Sequence, residues 1–230
     1  FNTGLKLEGR PEADEAEVLG NITRVKNWTY KPFFIGISHH FDNELCGFAK
    51  SFSGIVSKLI CQNPDENQGI TKKKKKVILE LLNNNEGKRI LIDLKHMNPK
   101  SRYDYYTLLE NHYPTENIPL IVSHGALNGK LHYITHNYVW KSGFNAATIN
   151  FYFDEIQKIE SSKGIFGIQL DERRIFDSKT KGEIFREAKK NMNKFGRPVL
   201  RKNAFFIWRQ IEHIAIYLDV LNRDAWSIQA

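Results

Sequence analysis

Two cysteines in 230 residues, Cys46 and Cys61, are too few for a disulfide framework, and they lack zinc-finger spacing. No apolar run approaches the roughly 18–20 residues that a membrane helix requires. The stretches present, Phe33–Ile37, Ile90–Leu94 and Ile118–Val122, are strand-length, so no transmembrane segment is expected. There is no GxGxxG after a strand, no GxxxxGK[ST] and no GxSxG, so dinucleotide, P-loop and nucleophile-elbow chemistry lack their mechanical parts. No basic segment followed by an apolar one opens the chain, and no internal repeat of fixed period is visible.

Charge is plentiful, with 34 basic against 26 acidic residues for a net +8. Five of the positive charges form one run, Lys72–Lys76, and removing those five from the +8 leaves +3. A lysine run that opens an amphipathic helix reads as a solvated turn, so no nucleic-acid partner is expected. Asn21-Ile22-Thr23 and Asn27-Trp28-Thr29 match glycosylation sequons, a pattern common by chance.

With 41% hydrophobic residues the chain can bury a sizeable core, and a single domain over 1–230 is expected. Along the chain, strand-like segments (4–8, 33–38, 89–94, 118–123, 165–170) alternate with helix-period segments (13–25, 44–59, 72–82, 102–111, 151–159, 181–192, 204–221). A polar loop, 62–69, and an Asn- and aromatic-rich connection, 125–150, complete the series. Strands alternating with helices predict βαβ units and a parallel sheet, hence an α/β fold. A doubly wound sheet and part of a (β/α)8 barrel both fit that alternation.

The position of the polar residues favours the barrel, whose chemistry gathers at the C-terminal ends of several strands. Glu8, His39, His96 and His124 end four successive predicted strands. One such histidine is ordinary, but four metal-competent or acid-base side chains in phase are hard to explain as packing. A carboxylate and two imidazoles with an open fourth position make a catalytic zinc set, which Glu8, His96 and His124 would fill. His40, His112, His132 and His136 read as loop residues, and His213 as a packing residue within a helix.

Leu7-Glu8-Gly9, Ile37-Ser38-His39, Ile92-Asp93-Leu94-Lys95-His96 and Pro119-Leu120-Ile121-Val122-Ser123-His124-Gly125, in this order, resemble the motifs of the membrane (renal-type) dipeptidase family. That family comprises zinc peptidases on metal-dependent TIM barrels. The resemblance implies that Glu8 bridges two zinc ions, that His96 and His124 complete one site, and that His39 polarises the substrate. It implies hydrolysis of a small dipeptide by a metal-bridging hydroxide. The family's His-x-Asp pair has no counterpart before Glu8, and its last-strand aspartate has none before Ala230. Its substrate-carboxylate arginine has no match in 125–138, which holds Lys130.

The chain is therefore expected to be an internal fragment holding about strands three to seven of a barrel incomplete at both ends, inactive by itself. A homodimer is compatible with this reading, and so are cytoplasmic and cell-envelope locations. The alternative is a divergent or inactive barrel with a binding role, for which Lys95, a cation beside a would-be ligand, is the argument.

Overall fold

The computed structural model describes residues 15–40, 42–43, 45–52, 59, 62, 65, 67–70, 72–135, 137–140, 143–190, 204 and 207–219. The expected strand at 4–8, with Glu8, lies outside them, as do Cys61 and His136. Four strands, β1 (Phe34–Gly36), β2 (Leu91–Asp93), β3 (Ile121–Gly125) and β4 (Ile165–Ile168), form one sheet in the order β1-β2-β3-β4. β1 and β2 are parallel, with Ile35 opposite Ile92, and β2 and β3 are parallel, with Asp93 opposite Ile121. A doubly wound sheet reverses strand order at its switch point, whereas a barrel places each strand beside the next. The unreversed order here is that of a partial (β/α) barrel, and the class is α/β as expected.

The chain divides into two compact units. The first comprises 1–123 and 162–165. It contains α1 (Glu15–Lys26), α2 (Lys72–Leu82) and α3 (Pro99–His112). The lysine run opens α2, as read from the sequence, and Val77, Ile78, Leu81 and Leu82 are buried in two adjacent turns of one face. Lys26 of α1 is buried as well: its ammonium donates to the carbonyls of Glu80 and, at 3.0 Å, Asn83. Those carbonyls have no partner within a helix that stops at Leu82, and the C-terminal dipole favours a cation there. Burial holds the Lys26 amine below its ordinary pKa, partly offset by Glu80.

β2 is buried at all three positions. α3 starts because Asn98 caps it: the side-chain oxygen accepts from Ser101 N at 2.8 Å, and Pro99 takes the first position, where no amide donor is needed. Arg102, fully buried, donates to Met97 O at 2.8 Å. Tyr105 is fully buried too, and burial raises its phenol above its ordinary pKa.

The helix expected at 44–59 is not formed over 45–52, which make turns and an antiparallel bridge between Phe48 and Met97. The amide donors there have other partners. Leu45 N donates to Asn43 Oδ1, and both Ser51 N and Phe52 N donate to Gln62 Oε1. Side-chain acceptors have outcompeted the helical ladder.

The second unit, 124–161 and 166–230, contains α4 (Phe153–Ser161), α5 (Glu172–Ile175), α6 (Ser178–Lys190) and a helix, α7, described over 207–219. Buried Glu155 closes the start of α4 by accepting from Tyr152 N at 2.9 Å. Trp140, Phe144, Phe153 and Tyr217 make an aromatic cluster around buried His213, whose ring lies 4.6 Å from Trp140 and 5.0 Å from Phe144. His213 is thus the packing residue the sequence suggested. Its Nδ1 donates to Arg209 O at 2.7 Å, one helical turn back.

Candidate metal centre

β1 ends at Gly36, and the chain leaves the pleat before His39 and His40. Consecutive residues of a strand point to opposite faces. Beyond the strand's end that alternation lapses, and the two rings pack together with centroids 3.7 Å apart. Ile37 O anchors the segment by accepting from Asn43 Nδ2 at 2.7 Å, with Cys46 Sγ at 3.7 Å.

β2 ends in a turn closed by Met97 N donating to Leu94 O at 3.3 Å, with His96 at its third position. His96 has φ 71°, a left-handed conformation costly for a residue with a Cβ. Its carbonyl is held from two sides, by Ala49 N at 2.8 Å and by Ser38 Oγ at 3.2 Å. Asn98 N donates to Gly47 O at 3.0 Å one step further on. A Cβ on Gly47 would collide with Gln68 O and with the Asn98 side chain, so this crossing needs glycine. Asp93, buried on β2, accepts from Lys95 N at 3.1 Å and Ser123 N at 3.0 Å through one oxygen, joining the turn to β3. Lys95 itself is buried.

These two strand ends bring His39, His40 and His96 together. The His39 and His96 rings meet edge-to-face at 4.3 Å, and His40 and His96 at 5.4 Å. One nitrogen from each of the three lies within 4.8 Å of the others. His39 is exposed and the other two half-buried, so the cluster faces solvent on one side. Around a zinc ion with bonds of about 2.0–2.1 Å, tetrahedral nitrogens stand roughly 3.4 Å apart, so the rings need only small rotations to close on an ion. Three nitrogen donors with one open direction suit zinc or a neighbouring divalent transition metal.

Of the residues expected to carry chemistry, His39 and His96 are thus in contact. His124 is half-buried on β3, in the second unit. His40, taken from the sequence as an ordinary loop residue, belongs to the cluster. The signal that could have found it is the His39-His40 doublet immediately after a strand. An open groove of about 670 Å3 lies near the N-terminal end of β2, between Glu80, Arg89 and Tyr113, and none of the expected site residues lines it.

Solved structures similar to this chain include two peptidases. One is the probable dipeptidase PvdM from Pseudomonas aeruginosa, at 14% identity and a TM-score of 0.48, covering 86% of this chain and 46% of that one. The other is a metallo peptidase from Rhodobacter sphaeroides, liganded with a phosphinate mimic of the dipeptide L-Ala-D-Ala. It has 22% identity and a TM-score of 0.34, covering 62% of this chain and 31% of that one. The chain spans about half the length of the first and a third of the second. No protein-family model matches the sequence, and no curated protein matches it.

Proposed function

We propose that this chain is part of a metal-dependent hydrolase of the dipeptidase type. The observation that carries the reading is the contact between His39 and His96, each delivered by the C-terminal end of one of two adjacent parallel strands. That is the rim on which a β/α barrel assembles its chemistry. The order of the Glu8, His39, His96 and His124 motifs supports it independently.

In this reading Glu8, His96 and His124 hold zinc, and His39 contacts the carbonyl oxygen of a small dipeptide. Bound zinc supplies a Lewis acid and lowers the pKa of a coordinated water toward 7. The protein's part is to fix the donors before substrate arrives. Ser38 and Ala49 hold the His96 backbone, and Asp93 ties its turn to β3. His39, exposed at the rim, can reach a substrate and stabilise charge developing on its carbonyl oxygen.

The test is zinc content and dipeptide hydrolysis in the full-length gene product. His96→Ala and His124→Ala should each remove most of the zinc and most of the activity, whereas Cys46→Ser should change neither. Full activity in His96→Ala would overturn the assignment. A divergent barrel that binds without catalysis is the second reading. The buried Lys95 beside His96 favours it, and zinc binding without hydrolysis of any dipeptide would establish it.

A further inference from the structure

We propose that His39, His40 and His96 form a tri-imidazole site for one divalent transition metal, with Ser51 and Gln62 orienting His40. This deepens the metal-dependent reading, on which it rests for an ion at this rim. It keeps the ion and His96 but makes His39 and His40 the other ligands, as an alternative to the set of Glu8, His96 and His124 and to a substrate contact for His39.

Gln62 anchors the network around His40. Its Oε1 accepts from Ser51 N at 2.9 Å and Phe52 N at 2.8 Å, which fixes the amide's orientation and turns its NH2 the other way. That NH2 donates to His40 O at 2.5 Å and Ser51 Oγ at 2.9 Å. Ser51 Oγ in turn lies 2.7 Å from His40 Nδ1. With one lone pair of Ser51 Oγ engaged by Gln62, its second can accept a proton from Nδ1 of His40. The lone pair of the neutral ring is then on Nε2. A metal-ligating histidine characteristically donates its other ring N–H to a fixed acceptor, and such partners are worth roughly 10–100-fold in metal affinity.

Phe52 stacks on His40 at 4.5 Å, closing one face of the ring, and His39 covers it at 3.7 Å. Gln62 and Ser51 are both buried, so the orienting network is shielded from water. His96 is presented by a left-handed turn whose carbonyl has two donors. Strain retained at a cluster of donors, and braced from outside it, is characteristic of functional sites. Exposed His39 leaves the fourth coordination direction open to water or a small anionic or carbonyl ligand. Nitrogen-only donation favours Zn2+, Co2+ and Ni2+ over Mg2+ and Ca2+, which prefer oxygen.

The experiment titrates the full chain with Co2+, read by the ligand-field bands of tetrahedral cobalt, and with Zn2+ in competition. One ion per chain is expected. His40→Ala should weaken binding by about 100-fold, Ser51→Ala and Gln62→Leu by roughly 10-fold. His112→Ala, at an exposed histidine outside both ligand sets, should leave affinity within about 3-fold. His40→Cys, which restores a ligand, should recover tight binding with altered cobalt bands, an outcome that a packing role would not produce. His40→Gln gives the same information should the alanine variant not fold. Unchanged affinity in His40→Ala or His40→Gln overturns the proposal. If binding is then lost in His124→Ala, the ligand set of Glu8, His96 and His124 stands without it. Tri-imidazole binding with no dipeptide hydrolysis in the full-length protein would overturn the peptidase reading and leave this site in place.

Discussion

Ser38 Oγ donates to the carbonyl of His96 at 3.2 Å, linking the segment after β1 to the turn after β2. The bond is buried on the Ser38 side and spans two strand ends that each carry a histidine of the cluster. Ser38→Ala should cost about 0.5–1.5 kcal/mol of stability, the net worth of one such bond. It should also weaken metal binding several-fold, because Ala49 N alone would then hold the His96 carbonyl. Chemical denaturation and a zinc titration on the same preparation check both effects; unchanged zinc affinity would show that Ala49 suffices.

The left-handed turn makes a second prediction. Once the imidazole is gone, His96→Gly should be more stable than His96→Ala by about 1 kcal/mol, since only glycine adopts φ 71° without a Cβ penalty. Both variants should lose metal. Equal midpoints in urea would mean that the turn relaxes in the alanine protein.

Gly47 has a packing reason to be glycine. Gly47→Ala should destabilise by about 1–3 kcal/mol, because a methyl there forces Gln68 and Asn98 apart and strips the cap from α3. A thermal melt measures it, and a midpoint within a degree of the parent would refute the close approach.

Lys26→Met retains the aliphatic stem and removes the ammonium that closes α2. The carbonyls of Glu80 and Asn83 lose a charged donor, so a loss of about 1.5–3 kcal/mol is expected. Hydrogen exchange should rise first in the last turn of α2. Exchange rising uniformly along the helix would argue against a capping role.

Asp177 accepts from Thr180 N at 2.7 Å and Gly143 N at 2.9 Å at the start of α6. Desolvation alone would raise its pKa, yet these backbone donors prevail and hold the carboxyl below its ordinary range. A depressed folded-state pKa places the stabilisation above the unfolded value of about 3.9, to be lost as pH falls through the folded one. Asp177→Ala should therefore cost about 1 kcal/mol at pH 7, and the gap from the parent should narrow as pH falls below 4. A gap independent of pH would place its origin in packing.

The α/β class was legible because buried parallel strands are short apolar runs. The segments around Ile92, Val122 and Phe166 stood out for that reason, and α2 matched its apolar spacing to the residue. His39 and His96 stood out as candidates because each follows such a run, and the structure brings their rings into contact. The segment 45–52 was not legible, since its apolar spacing resembles a helix while Gln62 and Asn43 take the amides a helix would use. Gln62 sat in a stretch that composition marks only as polar loop. His40 was passed over as a loop residue, because nothing in spacing shows that the chain after Gly36 stacks its ring on His39.

The turn that presents His96 is braced through its backbone: His96 O by Ala49 and Ser38, Met97 N by Leu94, Asn98 N by Gly47. None of these bonds runs through the imidazole. Donor identity and loop shape are therefore separable variables. A thiolate at position 96 would shift the rim's preference toward softer ions while the main chain kept its course. On the proposed metal reading, selectivity at this rim is open to single-residue change, and a lineage could exchange one ion for another without passing through a misfolded intermediate.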